Sequence, residues 1–423
     1  MSNKKEFVAL DWLRFMLAVY LVFYHTWHEY IGFEGNGSPY RFLGLGNMAT
    51  SVFFVLSGFL LTHVYASDKQ KINIDKRKFW VARFSTLYPL HIVGLLLSLP
   101  TVILSAMGSG GIEVPLAPGS QATRILGAGE IALGLVSNLT LTHAWNPLYL
   151  LFDAPSWSLS ALLFFYLLFP WFASRFAKLR SPVTGLLVIG LVFTIPGAVA
   201  YFYNFTGLIA DGVLHRNPIV RLPLFLSGIL LYGVYRDSRQ KQAIPAGDGV
   251  FKLVLVALIG LTVFIAAEFY IPGKECLFPL VRNGLYFPAA LAVVWLAANM
   301  NNGTGEWNRK WSVRLGKSSL SIFMLHLPLF ALSLRAEKML RAWIAKDFDI
   351  SDLRSVIALA RDLAPQENLY LVHVAIIVLV CVVFQERAVT PLQNILRKKM
   401  SNKAVASAPI ATLDESKPRI IVR

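Results

Sequence analysis

Residues Asp11 to Trp27, DWLRFMLAVYLVFYHTW, decide the fold. The stretch is apolar enough to enter a bilayer, yet it carries Asp11, Arg14 and His25. Eleven helical residues turn through three revolutions and about 20°, so Arg14 and His25 share one face, about 16 Å apart along the axis. Asp11 lies one turn before Arg14, and His28 one turn beyond His25. Ionisable groups in hydrocarbon are costly, so a polar stripe of this length lines a bundle interior or a wet cavity. Two readings stand for these residues alone. One is a structural Asp11–Arg14 ion pair with His25 near an interface; the other is a functional path.

The rest of the chain agrees with a membrane setting. Of 423 residues, 56% are hydrophobic and 15% charged, with a mean hydropathy of +0.56. That composition excludes an ordinary soluble enzyme. A net charge of +16 would suggest nucleic acid in a soluble protein. Here the basic residues cluster in short loops between apolar runs, which is the pattern of membrane orientation, and no nucleic-acid partner is expected. Cys276 and Cys381 fit neither a metal nor a disulfide pattern, and the dispersed histidines give no reason to expect a metal. The first apolar run lacks a small-residue cleavage site, so it is expected to stay as an anchor.

Apolar runs long enough to cross occur near 7–28, 43–65, 80–106, 157–174, 182–203, 218–235, 252–271, 279–299, 318–336 and 368–386. The segment 126–144 is interrupted by Glu130, Ser137, Asn138, Thr140, Thr142 and His143. With it excluded, ten spans put every basic cluster on one side: Lys4 and Lys5, the loop 67–79, Arg175 to Arg180, Arg236 to Lys241, Arg309 to Lys317, and Arg397 to Lys399. The expectation is therefore an all-α polytopic membrane protein of about ten transmembrane helices. Both termini are cytoplasmic, 126–144 is re-entrant or interfacial, and the locale is a bacterial cytoplasmic (inner) membrane. Residues 1–395 form one membrane domain and 396–423 a disordered cytoplasmic tail. The stretch 107–125 is Gly/Pro/Ala-rich, and 337–367 is expected to hold one or two short surface helices. No internal repeat is visible.

Six blocks, in order, resemble the membrane acyltransferase-3 family, which includes O-acetyltransferases of bacterial surface polysaccharides. They are LDWLRFMLAVYLVFYH with its arginine–ten residues–histidine spacing, FFVLSGFLL (Phe53 to Leu61), RFSTLYPL (Arg83 to Leu90), PSWSLSALLFFYLLFP (Pro155 to Pro170), RLPLFLSG (Arg221 to Gly228) and LGKSSLSIFMLHLP (Leu315 to Pro328). The resemblance covers roughly residues 7–395. Three positions depart from the family pattern: Leu162 where a glutamate is common, Thr86 where a second arginine is frequent, and Leu224 where an acid often follows arginine–leucine–proline. Glu29 and Asp153 are candidate stand-ins for the missing glutamate.

The resemblance implies transfer of an acyl group, usually acetyl, from cytoplasmic acyl-CoA to a hydroxyl of an extracytoplasmic or lipid-linked glycan. Acetyl-CoA is then a co-substrate, membrane lipid the surroundings, and separate envelope-biosynthesis proteins are partners where transfer is not direct. A thioester is already activated; the acceptor hydroxyl is the problem, because its pKa lies far above neutrality. A neutral imidazole can take that proton, which makes His25 the candidate general base, with transient acylation as a covalent variant. Arg14 is the second catalytic candidate, orienting the thioester carbonyl or part of the CoA arm. Arg83, Ser57 and His326 are donor-site candidates. Arg83 could equally be plain positive-inside charge, Ser57 beside Gly58 could serve close helix packing, and His326 could be structural. Trp157, Ser158, Ser160 and Arg221 are acceptor-site candidates; each serine could instead bond the backbone, and the tryptophan could anchor at the interface. His28, Glu29 and His143 are further outer-side candidates, whereas His91 and His373 read as structural. The competing function is a transporter or flippase of a lipid-linked sugar or small solute, since buried Arg and His also mark transport paths. A weaker third is a member that only scaffolds partners.

Overall fold

Every apolar run becomes a helix long enough to cross a bilayer, ten in all among the described residues of the computed structural model. Those residues are 6–27, 38–66, 72, 74–116, 122–205, 207–241, 249–268, 277–300, 305–347 and 353–406. His28, Glu29, Lys69, Lys71, Cys276 and the tail from 407 onward lie outside them.

In chain order the helices are α1 (Val8–Thr26), α2 (Ser38–Leu43), α3 (Gly46–Tyr65), α4 (Lys76–Ser109), α5 (Ala128–Leu139), α6 (Trp157–Phe176), α7 (Pro182–Phe202), α8 (Leu208–Arg216), α9 (Pro218–Lys241) and α10 (Gly249–Glu268). There follow α11 (Phe278–Leu280), α12 (Tyr286–Asn299), α13 (Glu306–Ala345), α14 (Leu353–Asp362), α15 (Tyr370–Phe384) and α16 (Thr390–Ala406). Two π-helical turns, Val281–Leu285 and Gln385–Val389, join α11 to α12 and α15 to α16. A hairpin of β1 (Glu113–Pro115) and β2 (Thr123–Ile125) lies within the Gly/Pro-rich stretch.

The segment 126–144 does not span. At 12 residues α5 is about 18 Å long, well short of a hydrocarbon core of about 30 Å. Its start is fixed by Glu130, whose Oε2 accepts from the Gly127 amide at 3.0 Å and whose carboxylate also holds Arg124 through 2.9 and 2.7 Å bonds. The two bonds from Arg124 and the Gly127 amide hold the Glu130 carboxyl down to about 2.

The two longest helices, α4 at 34 residues and α13 at 40, exceed the bilayer. α13 runs 40 residues, so the part of 337–367 expected as surface helix is in its first turns a continuation of this span. α14 then packs back on it through Ala342, Val356 and Ala360. The last helix runs through Ala406, past residue 395 where the membrane domain was expected to end.

Close approach of backbones sets the packing. An ideal Cβ on Gly58 would lie 2.1 Å from Phe225 O, and one on Gly228 would lie 2.0 Å from Val55 O. These two glycines let α3 and α9 meet at the centre of the bundle, the small-residue contact typical of membrane helices. The same device joins α1 to α13, where a Cβ on Gly316 would lie 2.8 Å from Asp11 Cβ. Trp12 Nε1 donates to Asn308 Oδ1 across this seam at 2.7 Å. Helices one and nine of the ten crossings run in the same direction, so their later turns stay side by side.

Candidate active site

The α1–α13 seam brings together two histidines 301 residues apart in sequence. His25 Nδ1 lies 2.9 Å from His326 Nε2, with the ring centroids 5.0 Å apart. On its other side, His326 Nδ1 faces the carbonyl oxygens of Phe323 at 2.7 Å and Ile322 at 3.2 Å. A carbonyl only accepts, so His326 Nδ1 carries a hydrogen. In its neutral form His326 then presents a bare Nε2, which accepts from His25 Nδ1–H. A neutral His25 protonated at Nδ1 keeps its lone pair on Nε2. The α13 backbone thus selects the tautomer of His25 through His326.

A cavity of about 570 Å³ approaches this pair from the other end of the bundle, within the size range of ligand sites. Its cationic lining comes from four helices: Arg14 on α1, Arg83 on α4, Lys317 on α13 and Arg397 on α16. Lys317 and Arg397 are exposed and mark the rim, while Arg14 and Arg83 are half-buried inside it. Deeper in, the walls turn apolar with Phe53, Phe54, Leu159, Leu162 and Phe323. Phe53 and Phe323 pack with centroids 6.0 Å apart, and Phe323 lies 6.1 Å from the His326 ring. Phe323 thus borders both the cavity and the histidine pair.

The expected residues divide accordingly. Arg14 bonds Asp11 at 2.7 Å, so the ion pair of the first reading exists, and the guanidinium also lines the cavity. Its Nε has no partner among the described residues. Arg83 lies over the rings of Phe79 and Tyr166, at 5.6 and 5.9 Å, and its buried Nε also lacks a partner. Ser57 lines the cavity with its hydroxyl 3.2 Å from Tyr166 Oη. His326 is not on the cavity wall; it belongs with His25. Ser158 lines the cavity, its hydroxyl bonding Pro155 O at 3.0 Å. Ser160 turns away, donating to Leu141 O at 2.6 Å and accepting from the Ala144 amide, which pins the loop after α5. Trp157 is wedged between Phe54 and His215, at centroid distances of 6.0 and 4.7 Å. Arg221 is buried, donating from Nε to His215 O at 2.9 Å.

The departures from the family pattern have structural consequences. Thr86 occupies the slot of a second arginine, and Arg397 reaches across to bond its hydroxyl at 3.0 Å. Gln393, from the same helix, donates to Thr86 O at 3.3 Å. A guanidinium therefore stands at this point of the cavity, supplied by α16. Asp153 does not line the cavity that Leu162 lines. It is fully buried where α4 meets α13, its two oxygens have no partner among the described residues, and burial pushes its carboxyl well above the usual carboxylate range.

His143 is held by Ser156 at 3.0 Å and stacks on His91 at 5.5 Å. Burial, then the neighbouring His91, push its imidazole down to about 4, so it is neutral and structural. His373 bonds Glu337 at 3.0 Å. Sequence reasoning passed over Gln385, Thr390, Gln393 and Asn394, which form the polar wall of the cavity. The polar interruption of an otherwise apolar final run was their only signal.

This geometry agrees with what the chain is similar to. A family model described as "Acyltransferase domain" matches residues 7–384, and the chain belongs to this acyltransferase-3 family. It is 30% identical over 300 residues to acyltransferase MdmB of Streptomyces mycarofaciens, covering 67% of each chain. It is 28% identical to protein 2 in the picA locus of Rhizobium radiobacter, covering 47% of this chain and 97% of that one. Peptidoglycan O-acetyltransferase OatA of Listeria monocytogenes is 23% identical over 345 residues, 78% of this chain and 50% of that longer protein. No solved structure matches. The protein is thus a multi-pass membrane acyltransferase.

Proposed function

We propose that this protein takes an acetyl group from cytoplasmic acetyl-CoA and delivers it to a hydroxyl of a cell-envelope or exported glycan. The observation that carries the reading is the His25–His326 hydrogen bond, placed one helical turn beyond the end of a cavity with a cationic rim. The rim suits the phosphates of the donor: Lys317 and Arg397 are exposed at the entrance, and Arg83 holds a buried donor without a partner. The basic clusters that share this face support a cytoplasmic orientation in a bacterial inner membrane. The name of the Listeria relative supports acetyl as the group and a glycan as the acceptor.

When bound, acyl-CoA supplies the acyl group as an activated thioester. The protein's own residues do the rest. Arg14, held by Asp11, offers a fixed guanidinium to the donor. Ser57, Tyr166 and Ser158 offer hydroxyl groups along the path. His25 Nε2 takes the proton of the acceptor hydroxyl as the new ester bond forms, and the leaving thiol receives a proton in turn. His326 accepts from Nδ1–H and stabilises the imidazolium formed meanwhile. Phe53 and Phe323 keep water from the thioester.

The test is surface-glycan O-acetyl content, read by NMR, in cells lacking the gene and complemented at matched membrane abundance. Wild type is expected to restore the acetyl signals and His25→Ala to leave them absent. Equal restoration by both removes His25 from the mechanism. No acetyl change on deletion refutes the acetyl–glycan assignment. Binding of acetyl-CoA to the purified protein, expected to weaken in Arg83→Gln, tests the donor side separately.

A further inference from the structure

The end of the bundle that carries His25 holds charged groups that acyl transfer has not used. Arg216, Arg221 and Arg282 are all buried there, at 8%, 3% and 3% exposure. Arg282 pairs with Asp211 at 2.7 Å. Arg216 donates to the carbonyl oxygens of Asn146 and Pro147, at 3.2 and 2.7 Å. Arg221 donates from Nε to His215 O and lies 5.9 Å from the Phe193 ring centroid. Carbonyl groups satisfy donors but neutralise nothing. Asp211 is the one acid paired with any of the three among the described residues, so two positive charges are left in excess.

The surrounding polar atoms are also incomplete. His215 Nδ1, Nε of Arg216 and of Arg282, and both side-chain amide atoms of Asn283 have no partner among the described residues. Arg282 and Asn283 sit in the π-helical turn Val281–Leu285, a local distortion often found at functional sites. His215 lies within electrostatic range of Arg282, Arg221, Arg216 and His25 together. His25 and His215 are each half-buried.

Buried charge without a counter-ion is costly. An oxyanion formed only in the transition state would leave this excess uncompensated in the resting protein. An anionic group that stays bound would compensate it throughout. We propose that Arg221, Arg282, His215 and Asn283 form a subsite for a phosphate or carboxylate carried by the acceptor. The anionic group docks there while the acceptor's hydroxyl lies at His25. The second half of this statement rests on the role proposed for His25; the anion site itself does not.

The test uses the full chain, purified in detergent, with CoA saturating the basic rim. Inorganic phosphate is titrated by equilibrium dialysis, and acetate is then added as a competitor. Saturable phosphate binding is expected, weakened roughly tenfold or more in Arg221→Gln and in Arg282→Gln while CoA affinity is unchanged. Asn283→Asp provides an internal counter-charge and a fold control. It is expected to abolish phosphate binding and to raise the thermal midpoint without phosphate. Competition by acetate identifies a carboxylate-tolerant site, and its failure a phosphate site. Absence of binding by either anion, or phosphate binding equal in wild type and all three variants, overturns the proposal. Failure of CoA to bind the wild type would instead refute the donor reading, with the phosphate arm still decided by the same variants.

Discussion

Removing His326 should slow acyl transfer in graded steps that depend on what replaces its ring. In the structure His326 acts through both of its ring nitrogens. Its Nε2 accepts from His25 Nδ1–H at 2.9 Å, and the carbonyls of Phe323 and Ile322 ensure that it is an acceptor. His326→Ala deletes that acceptor and leaves the half-buried His25 Nδ1–H without it. Leaving one partner unsatisfied costs about 1–3 kcal/mol, which as a tautomer bias corresponds to roughly 5- to 150-fold. The initial rate of acetyl incorporation should fall by that factor. His326→Gln places an amide oxygen close to where Nε2 lies and should recover most of the loss. His25→Gln removes the base itself, which costs roughly 10²- to 10⁴-fold. The assay is incorporation of labelled acetyl into envelope material by membranes of matched protein abundance. A wild-type rate for His326→Ala, or a Gln variant no better than Ala, would refute the tautomer argument. A merely structural role predicts losses that track abundance instead.

Further outcomes follow from the same geometry. Arg397→Gln should raise the KM for acetyl-CoA roughly tenfold with little change in kcat, and Thr86→Arg in that background should restore it, because both place a guanidinium at one point of the cavity. Gly58→Val puts a side chain where an ideal Cβ already lies 2.1 Å from Phe225 O, and should lower stability by about 1–3 kcal/mol or more, read as loss of monodisperse protein in detergent. For the Arg124–Glu130 pair the sign is that of a depressed carboxyl. Its stabilisation is present above the ordinary value of 4.5 and is lost as pH falls toward about 2. Limited proteolysis between β1 and α5 should therefore accelerate over that window in wild type, and already be fast and independent of pH there in Glu130→Gln.

Much of this was legible in the chain itself. Apolar runs of the length of a bilayer specify helices almost regardless of context, since lipid leaves backbone groups no other partner. That is why ten crossings could be read directly, while α5 is too short to be an eleventh. The shared face of Arg14 and His25 follows from helix period alone, and both turn inward. Periodicity, however, places a residue on its own helix and says nothing of the partner. His326 looked like a donor ligand because sequence has no term for the α1–α13 seam, which Gly316 and Asp11 create. Ser160 and Ser158 are two residues apart and chemically identical, yet one turns to Leu141 and the other to the cavity. The substitution of Arg397 for a residue missing at Thr86 spans 311 positions and only tertiary contact could reveal it.

Chain composition and period thus determined the membrane architecture and named His25 and Arg14, because hydrophobic length and helical repeat are local quantities. The tertiary structure decided which groups meet. It set His326 against His25, packed Phe53 on Phe323 in the cavity wall, and gathered Arg216, Arg221 and Arg282 near one end. Hydrogen bonds and charge compensation depend on distances between helices, and those distances are fixed by packing at a few glycines rather than by any single run of sequence.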